Sequence, residues 1–196
     1  MITAEIEAYY DLFRDRLLSD YEHRNPRVTC ALAFAEETLA GARSILDVGC
    51  GIGWSTDHMR RWADVTGLDI SPVLIETARE LFGGEFICAD FRSWQSQSQF
   101  DAVLLIDAYE HFPRFDRSLV HSRIRAIQPV LVVLTVPTEE AMQHARDIGA
   151  ALQPVDENVS GADLLLLAQD LGGEVEINRT VSIWEHDDYR HVLIRR

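Results

Sequence analysis

The sequence predicts an α/β protein with a mostly parallel seven-stranded sheet, helices on both faces and a C-terminal antiparallel hairpin. Five short apolar runs alternate with helical segments, the pattern of a parallel sheet. Residues 45–56, I-L-D-V-G-C-G-I-G-W-S-T, are typical of a strand, a glycine turn and a helix start. Residues 175–183 and 189–194 alternate apolar and polar positions, which predicts the hairpin.

Length and composition favour one domain, or one domain with a small appendage, because 196 residues with 47% apolar content can bury a sizeable core. No apolar run approaches the ~20 residues needed to span a bilayer. Residues 1–20 carry acids where a signal peptide needs a continuous apolar stretch, so we expect a cytoplasmic protein. Cys30, Cys50 and Cys88 stand singly, which favours reduced thiols over a zinc site or disulfides.

The charge pattern favours small-molecule chemistry. A formal net charge of −14, with no basic run longer than two residues, argues against a nucleic-acid substrate. All 18 basic residues are arginines, and the lack of lysine excludes a Schiff-base lysine, a pyridoxal phosphate enzyme and a P-loop lysine. We therefore expect a small-molecule substrate and neither a nucleic-acid nor a membrane partner, with a homodimer left open.

Two helices are predicted ahead of the first strand. Apolar residues recur every three or four positions over residues 2–17, which indicates an amphipathic helix. Asn25 followed by Pro26 is a helix start, and the apolar stripe over residues 28–39 ends before Gly41.

The glycine turn places Gly49, Gly51 and Gly53 at every second position after the first strand. Glycine is needed where φ is positive or a ligand approaches the backbone, and the next helix, over residues 54–62, offers free N–H groups at its start. A dinucleotide-binding turn has its third glycine where this chain has Trp54. The turn therefore predicts a nucleotide-type cradle that does not match a pyrophosphate-binding one.

The second and third strands are each closed by an acid. Asp69 lies 20 residues after Gly49, where nucleotide-binding α/β units place a carboxylate against ribose hydroxyls. Ser71 already caps the next helix, so a capping role for Asp69 is disfavoured. The third strand, residues 85–89, is followed directly by Asp90.

The fourth strand, residues 100–106, is a nearly continuous apolar run typical of a central strand. It brings residues 107–113, D-A-Y-E-H-F-P, to the carboxyl edge of the sheet, where ligands bind in open α/β folds. His111 is the best general-base candidate, because an ordinary pKa near ~6.5 suits proton removal at neutral pH. Alternatively, His111 hydrogen-bonds the backbone or orients Glu110, and Glu110 holds a substrate hydroxyl or amine or fixes the loop.

The remaining elements follow in order. We predict a helix over residues 117–127, a strand over 129–136, a helix over 139–150 and a helix that Ser160 caps and Gly172 closes. The turn of the terminal hairpin is predicted at residues 185–188.

These ordered motifs resemble those of class I S-adenosylmethionine (SAM) methyltransferases that act on small molecules, over residues 44–196. The resemblance implies a Rossmann-like sheet whose terminal hairpin separates it from dinucleotide-binding proteins. It also implies that Asp47 holds the amino acid end of SAM, Asp69 the ribose, and Asp90 and the Phe91 N–H the adenine. The implied cofactor site is Asp47, Gly49, Cys50, Gly51, Gly53, Asp69, Ile70, Asp90, Phe91 and Asp107.

The implied activity is in-line transfer of the SAM methyl group to an oxygen or nitrogen nucleophile, such as that of a sugar or a natural-product intermediate. On this interpretation His111 and Glu110 are catalytic, and Tyr9, Tyr10 and Tyr109 bind the substrate. Residues 1–43 are helices that cover the active site, and residues 44–196 are the methyltransferase domain. Metal-dependent catechol-type enzymes of this fold need ligands after the fifth strand, where residues 135–138 offer only weak ones, so no metal is expected.

Two other classes remain open. A non-catalytic SAM-binding module would keep every cofactor residue, whereas an NAD-dependent oxidoreductase is disfavoured by Trp54 and by the terminal hairpin. The acceptor is also open, since no side-chain pattern distinguishes oxygen, nitrogen and carbon nucleophiles. Arg14 and Arg146 are candidates for pairing with an anionic substrate, although arginines on a helix surface are more often solvated.

Overall fold

The computed structural model describes residues 2–149, 153–184 and 188–196, with only the backbone for residues 2–4 and 6. Its helices are α1 (Ile2–Asp11), α2 (Arg14–Glu22), α3 (Pro26–Leu39), α4 (Trp54–Met59), α5 (Pro72–Phe82), α6 (Arg117–Ile127), α7 (Glu139–Asp147) and α8 (Gly161–Leu171). Its strands are β1 (Ser44–Val48), β2 (Asp64–Asp69), β3 (Glu85–Cys88), β4 (Ala102–Ile106), β5 (Leu131–Pro137), β6 (Glu174–Ser182) and β7 (Asp188–Arg195).

The seven strands form one sheet in the order β3-β2-β1-β4-β5-β7-β6. The first five strands are parallel, and β7 lies antiparallel between β5 and β6. This arrangement confirms the predicted fold class and the terminal hairpin. Of the turn predicted at residues 185–188, residues 185–187 lie outside the described residues, and Asp188 is the first residue of β7. Because β2, β1 and β4 are adjacent and parallel, the loops that follow them meet at one edge of the sheet.

The core has one layer on each face of the sheet, as alternation along the strands requires. Leu46 and Val132 face a layer that includes residues of α6 and α8. Their neighbours Ile45 and Val133 face the opposite layer, which includes residues of α3 and α4. Helix α3 is therefore part of the core. The predicted domain boundary after residue 43 had placed this helix among those that cover the active site. That boundary stays a prediction.

The predicted N-terminal helix over residues 2–17 is in fact two helices, so this prediction is wrong. The Leu12 and Phe13 N–H groups donate to the carbonyls of Tyr9 and Tyr10, three residues back, at 3.1 and 2.9 Å. This tight turn leaves Leu12 87% exposed and brings Phe13 to the wall of the cavity described below. The other predicted elements are present with ends that differ by up to three residues, the predicted helix end at residue 150 lying outside the described part. No helix in the described ranges has the length and apolar character needed to cross a bilayer.

Candidate active site

The glycine turn is tied to β2 at the carboxyl edge of the sheet. The Gly49 and Cys50 N–H groups both donate to the Leu68 carbonyl, at 2.7 and 3.1 Å. Gly49 and Gly51 have φ values of 74° and 55°, a region that side chains disfavour. A Cβ at Gly49 would lie 2.7 Å from the Ala108 Cβ. The turn therefore needs glycine at Gly49, and its backbone lines a cavity.

Two predicted cofactor residues, Asp47 and Gly53, do not line this cavity. A Cβ at Gly53 would lie 2.7 Å from the Phe86 Cζ, so packing against β3 requires this glycine. The Asp47 carboxylate accepts hydrogen bonds from the Ser55 and Thr56 hydroxyls, both at 2.6 Å. We correct the predicted cofactor contacts accordingly: these residues position the turn and the first residues of α4.

Asp47 should make the protein less stable as the pH rises from about 4 to about 6. Burial, partly offset by the two hydroxyl hydrogen bonds, raises the pKa of Asp47 from 3.8 to about 6. The folded state then binds this proton more tightly than the unfolded state does, so the free energy of unfolding falls as the proton is lost. The fall is complete above the folded-state pKa and amounts to about 2–3 kcal/mol. Asp47→Asn can keep the shared acceptor oxygen and should remove this loss. The measurement is denaturant unfolding of the wild type and of Asp47→Asn from pH 4 to 7. The prediction is wrong if the free energy of unfolding changes with pH equally in the two proteins.

Asp69 lies against the cavity at the end of β2. Its two carboxylate oxygens accept from the Gly51 and Ser71 N–H groups, both at 2.9 Å. Burial raises the pKa of Asp69, an effect that these backbone hydrogen bonds oppose. Each carboxylate oxygen can accept a further hydrogen bond, so the side chain suits a pair of ligand hydroxyls. Cys50 and Ile70 line the cavity beside it.

Asp90 and Phe91 line the adjoining wall. The Asp90 carboxylate already accepts from Arg92 at 2.6 Å, and Arg92 also donates to Asp116 at 2.7 Å. Although burial raises the pKa of Asp90, the hydrogen bonds from Arg92 outweigh it and lower the pKa. The Phe91 and Phe112 rings lie 6.3 Å apart and give this wall an aromatic surface. The predicted adenine contact stays a prediction, and it would share the Asp90 carboxylate with Arg92.

His111 lies on the cavity wall in a single 3-10 turn, Tyr109–His111, that follows β4. Its Nδ1 lies 2.8 Å from the Val155 carbonyl oxygen. Because a carbonyl can only accept, Nδ1 carries the proton and Nε2 presents its lone pair. Burial lowers the pKa of His111, which favours the neutral ring at neutral pH. The side chain is therefore poised to accept a proton at Nε2.

Glu110 lies beside this histidine and is only 2% exposed. Its Oε1 lies 3.9 Å from the His111 Nε2, and its Oε2 has no hydrogen-bond partner among the described residues. Burial, followed by the charge of Asp107, raises the pKa of Glu110 well above its ordinary value. Asp107 lines the cavity too, but its carboxylate is paired with the Arg27 guanidinium at 2.5 Å. The structure thus places Asp107 with the charged groups around His111.

Tyr10 lines the cavity, whereas its neighbour Tyr9 does not. The Tyr10 hydroxyl donates to the Gln153 side chain at 2.7 Å, and its ring lies 6.1 Å from that of His111. Tyr9 packs instead against Phe13, with ring centres 5.6 Å apart. The prediction for Tyr9 is corrected because successive residues of a helix point in different directions.

The prediction that Tyr109 binds substrate is also corrected. Tyr109 is fully buried in the core layer beneath α6 and is absent from the cavity wall. Its hydroxyl lies 2.7 Å from the His121 Nε2, and the His121 Nδ1 lies 2.6 Å from the Asp170 carboxylate. Strand β4 leads into the turn so that Glu110 and His111 face the cavity and Tyr109 faces away.

The sequence patterns missed a charged cluster around Arg27. Arg27 lies 3.6 Å from the Asp20 carboxylate, and its guanidinium lies 5.9 Å from the Tyr189 ring centre. Asp156 lies 3.8 Å from the His111 Nδ1. These residues come from α2, α3, β7 and a loop, so no local spacing connected them. Arg14 and Arg146, the arginines that we considered from the sequence, do not line the cavity.

The cavity has a volume of about 500 Å³, which is ordinary for a small-molecule site. Its wall includes the glycine turn, Asp69 and the His111 loop. In the described ranges, no three His, Cys, Asp or Glu residues are arranged to hold a metal ion. The glycine cradle, the Asp69 acceptor and the aromatic wall fit a nucleoside-bearing ligand.

Residues 45–129 match the family model described as "Methyltransferase domain". This stretch is similar to methyltransferase domains. The match covers the glycine turn and the loops after β2, β3 and β4. Together with the curated relatives below, it confirms the predicted resemblance to class I SAM-dependent methyltransferases.

Curated relatives and solved structures agree with this family. Trans-aconitate 2-methyltransferase of Escherichia coli O1:K1 / APEC is 35% identical over 105 residues, which are 48% of this chain and 42% of that protein. The chain thus matches less than half the length of this relative. A TehB-like SAM-dependent methyltransferase from Corynebacterium glutamicum has a TM-score of 0.72 at 17% identity, covering 96% of this chain and 98% of that one.

A second solved structure shows the same fold. It is the Burkholderia thailandensis 1,6-didemethyltoxoflavin-N1-methyltransferase, with bound 1,6-didemethyltoxoflavin and S-adenosylhomocysteine. Its TM-score is 0.69 at 16% identity, with 97% of this chain and 90% of that chain covered. The fold shared with these two structures therefore extends beyond residues 45–129 to nearly the whole chain.

Proposed function

We propose that this chain binds SAM in the cavity and transfers its methyl group to a small-molecule acceptor. The observation that carries the proposal is that one cavity joins the glycine turn and Asp69 to the His111 loop. When bound, SAM supplies an electrophilic methyl group on a positively charged sulfur. The similarity to solved methyltransferases supports the choice of SAM over NAD.

Each wall of the cavity has a proposed part. The backbone from Gly49 to Gly51 and the Asp69 carboxylate hold SAM, with Phe91 and Phe112 against its adenine. His111 accepts a proton from the acceptor at Nε2, and its Nδ1–H bond to Val155 keeps the ring in place. Helices α1 and α2 and the turn between them form the cover, since Tyr10, Phe13, Arg16, Leu17 and Asp20 line the cavity. The cytoplasmic location is part of the proposal, and a homodimer stays open.

The proposal predicts methyl transfer that does not depend on a metal ion. Alignment of the acceptor and removal of its proton should suffice for catalysis. We expect the purified protein to move label from methyl-labelled SAM into small molecules of a cell extract, at the same rate with and without a chelator. Tight SAM binding with no transfer would favour the non-catalytic module. Loss of turnover on chelation, restored by Mg²⁺, would contradict the metal-free mechanism.

A further inference from the structure

The cavity wall carries more acid than base. It includes six acidic residues and three arginines among the described residues: Asp20, Asp69, Asp90, Asp107, Glu110 and Asp156 against Arg16, Arg27 and Arg92. Arg92 is held by Asp90 and Asp116, and Arg27 by Asp107 and Asp20. Arg16 lies on the exposed side of α2, over the Phe13 ring.

The negative charge is concentrated around His111. Asp69 and Asp90 are assigned to SAM. Of the other four acids, Asp20 and Asp107 pair with Arg27, and Glu110 and Asp156 lie 3.9 and 3.8 Å from the ring nitrogens of His111. Among the described residues that line the cavity, Arg27 is the partly buried cation that lies beside them. An anionic acceptor would therefore enter a field of its own sign, whereas a cationic one would be attracted.

Glu110 and His111 present two hydrogen-bond acceptors side by side. The lone pair of the His111 Nε2 and the Glu110 Oε1 lie 3.9 Å apart. One nitrogen can lie about 2.9 Å from both, an ordinary hydrogen-bond length. The Glu110 Oε2, buried and without a hydrogen-bond partner among the described residues, adds a third acceptor. A buried acceptor without a hydrogen bond lowers the stability of the protein unless a ligand supplies a donor.

We propose that the acceptor is a primary amine, held by N–H bonds to Glu110 and His111. This inference rests on the proposed function. An amine with two or more N–H groups can satisfy both acceptors, an alcohol has one O–H and can satisfy only one, and a carboxylate has none. The chain would then differ in substrate from the relatives named for trans-aconitate, an anion.

The proposed step balances. The bound ammonium gives one proton to the His111 Nε2, which frees the nitrogen lone pair. That pair forms the new N–C bond to the methyl carbon, while the C–S bond breaks with its electrons on sulfur. The products are a methylated ammonium and neutral S-adenosylhomocysteine, and the proton on His111 then passes to water. Because its raised pKa favours the protonated carboxyl in the empty site, Glu110 releases a proton to water as the ammonium binds. Its carboxylate then accepts a hydrogen bond from the nitrogen throughout and offsets the positive charge.

Matched ligands test this inference by binding alone. Calorimetry would measure ligand binding to protein saturated with S-adenosylhomocysteine. The ligands form three sets, built on a propyl, a phenethyl and an indolylethyl group. Each set contains an amine, an alcohol and a carboxylate with the same carbon skeleton. We expect at least one amine to bind about tenfold or more tightly than its alcohol and carboxylate counterparts. Glu110→Gln should weaken that amine about tenfold or more and leave the affinity for S-adenosylhomocysteine unchanged.

Glu140→Gln is the matched control, because Glu140 is exposed on α7 and outside the cavity wall. The inference is overturned if no amine binds, if a carboxylate binds as tightly as its amine, or if Glu110→Gln leaves the amine affinity unchanged. The wild-type comparison decides the point even if the Glu110 variant does not fold. Failure to bind S-adenosylhomocysteine at all would instead overturn the proposed function.

Discussion

Replacing His111 with asparagine should slow methyl transfer by about 10²- to 10⁴-fold and leave SAM affinity little changed. The asparagine amide can stand in for Nδ1 and donate to the Val155 carbonyl, which the native ring approaches to 2.8 Å. It offers nothing at the position of Nε2. The variant therefore removes the proton acceptor and preserves the loop. Single-turnover transfer with a known acceptor is the measurement.

The pH dependence separates a base from a structural residue. Burial lowers the pKa of His111 below its ordinary value of 6.5, so the wild-type rate should rise with pH below that value as the ring loses its proton. His111→Asn should lack this rise. His58→Ala, at a histidine outside the cavity wall, is the control and should behave as the wild type. If His111→Asn transferred the methyl group as fast as the wild type at every pH from 5 to 9, His111 would have no part in the mechanism.

Replacing Asp69 with alanine should weaken SAM binding by about 10- to 150-fold, or ~1.5–3 kcal/mol, the value of hydrogen bonds to a charged acceptor. The loss has two sources. The ribose hydroxyls would lose their acceptor, and the Gly51 and Ser71 N–H groups would lose the carboxylate that they share at 2.9 Å. The melting temperature should fall as well, because the glycine turn is held partly by this side chain.

Asp64→Ala is the control for this prediction, because Asp64 is the exposed first residue of the same strand. It should keep the SAM affinity of the wild type. Equal SAM affinity in Asp69→Ala and in the wild type would show that Asp69 does not contact the ribose.

The sequence predicted the sheet, its hairpin and the loops that carry the cavity, because strand periodicity and glycine positions are local signals. Asp69, Asp90 and Asp107 were placed correctly at the carboxyl edge for the same reason. Local patterns do not reveal which residues of a loop point their side chains into the cavity. Tyr109 was therefore assigned to the substrate although it packs against His121.

The charged cluster was beyond reach of the sequence patterns. Arg27, Asp107 and Tyr189 meet only because α3, β4 and β7 pack together, over separations of about eighty residues along the chain. Asp47 shows a different limit. Its place before the glycine turn suggested a ligand contact, but its carboxylate accepts hydrogen bonds from the hydroxyls of Ser55 and Thr56 instead.

Calorimetric titration of the wild-type protein with SAM and with NAD tests the central claim most directly. The glycine turn, with Trp54 in place of a third dinucleotide glycine, and the Asp69 acceptor predict that SAM binds and that NAD binds far more weakly. Tighter binding of NAD than of SAM would contradict the account.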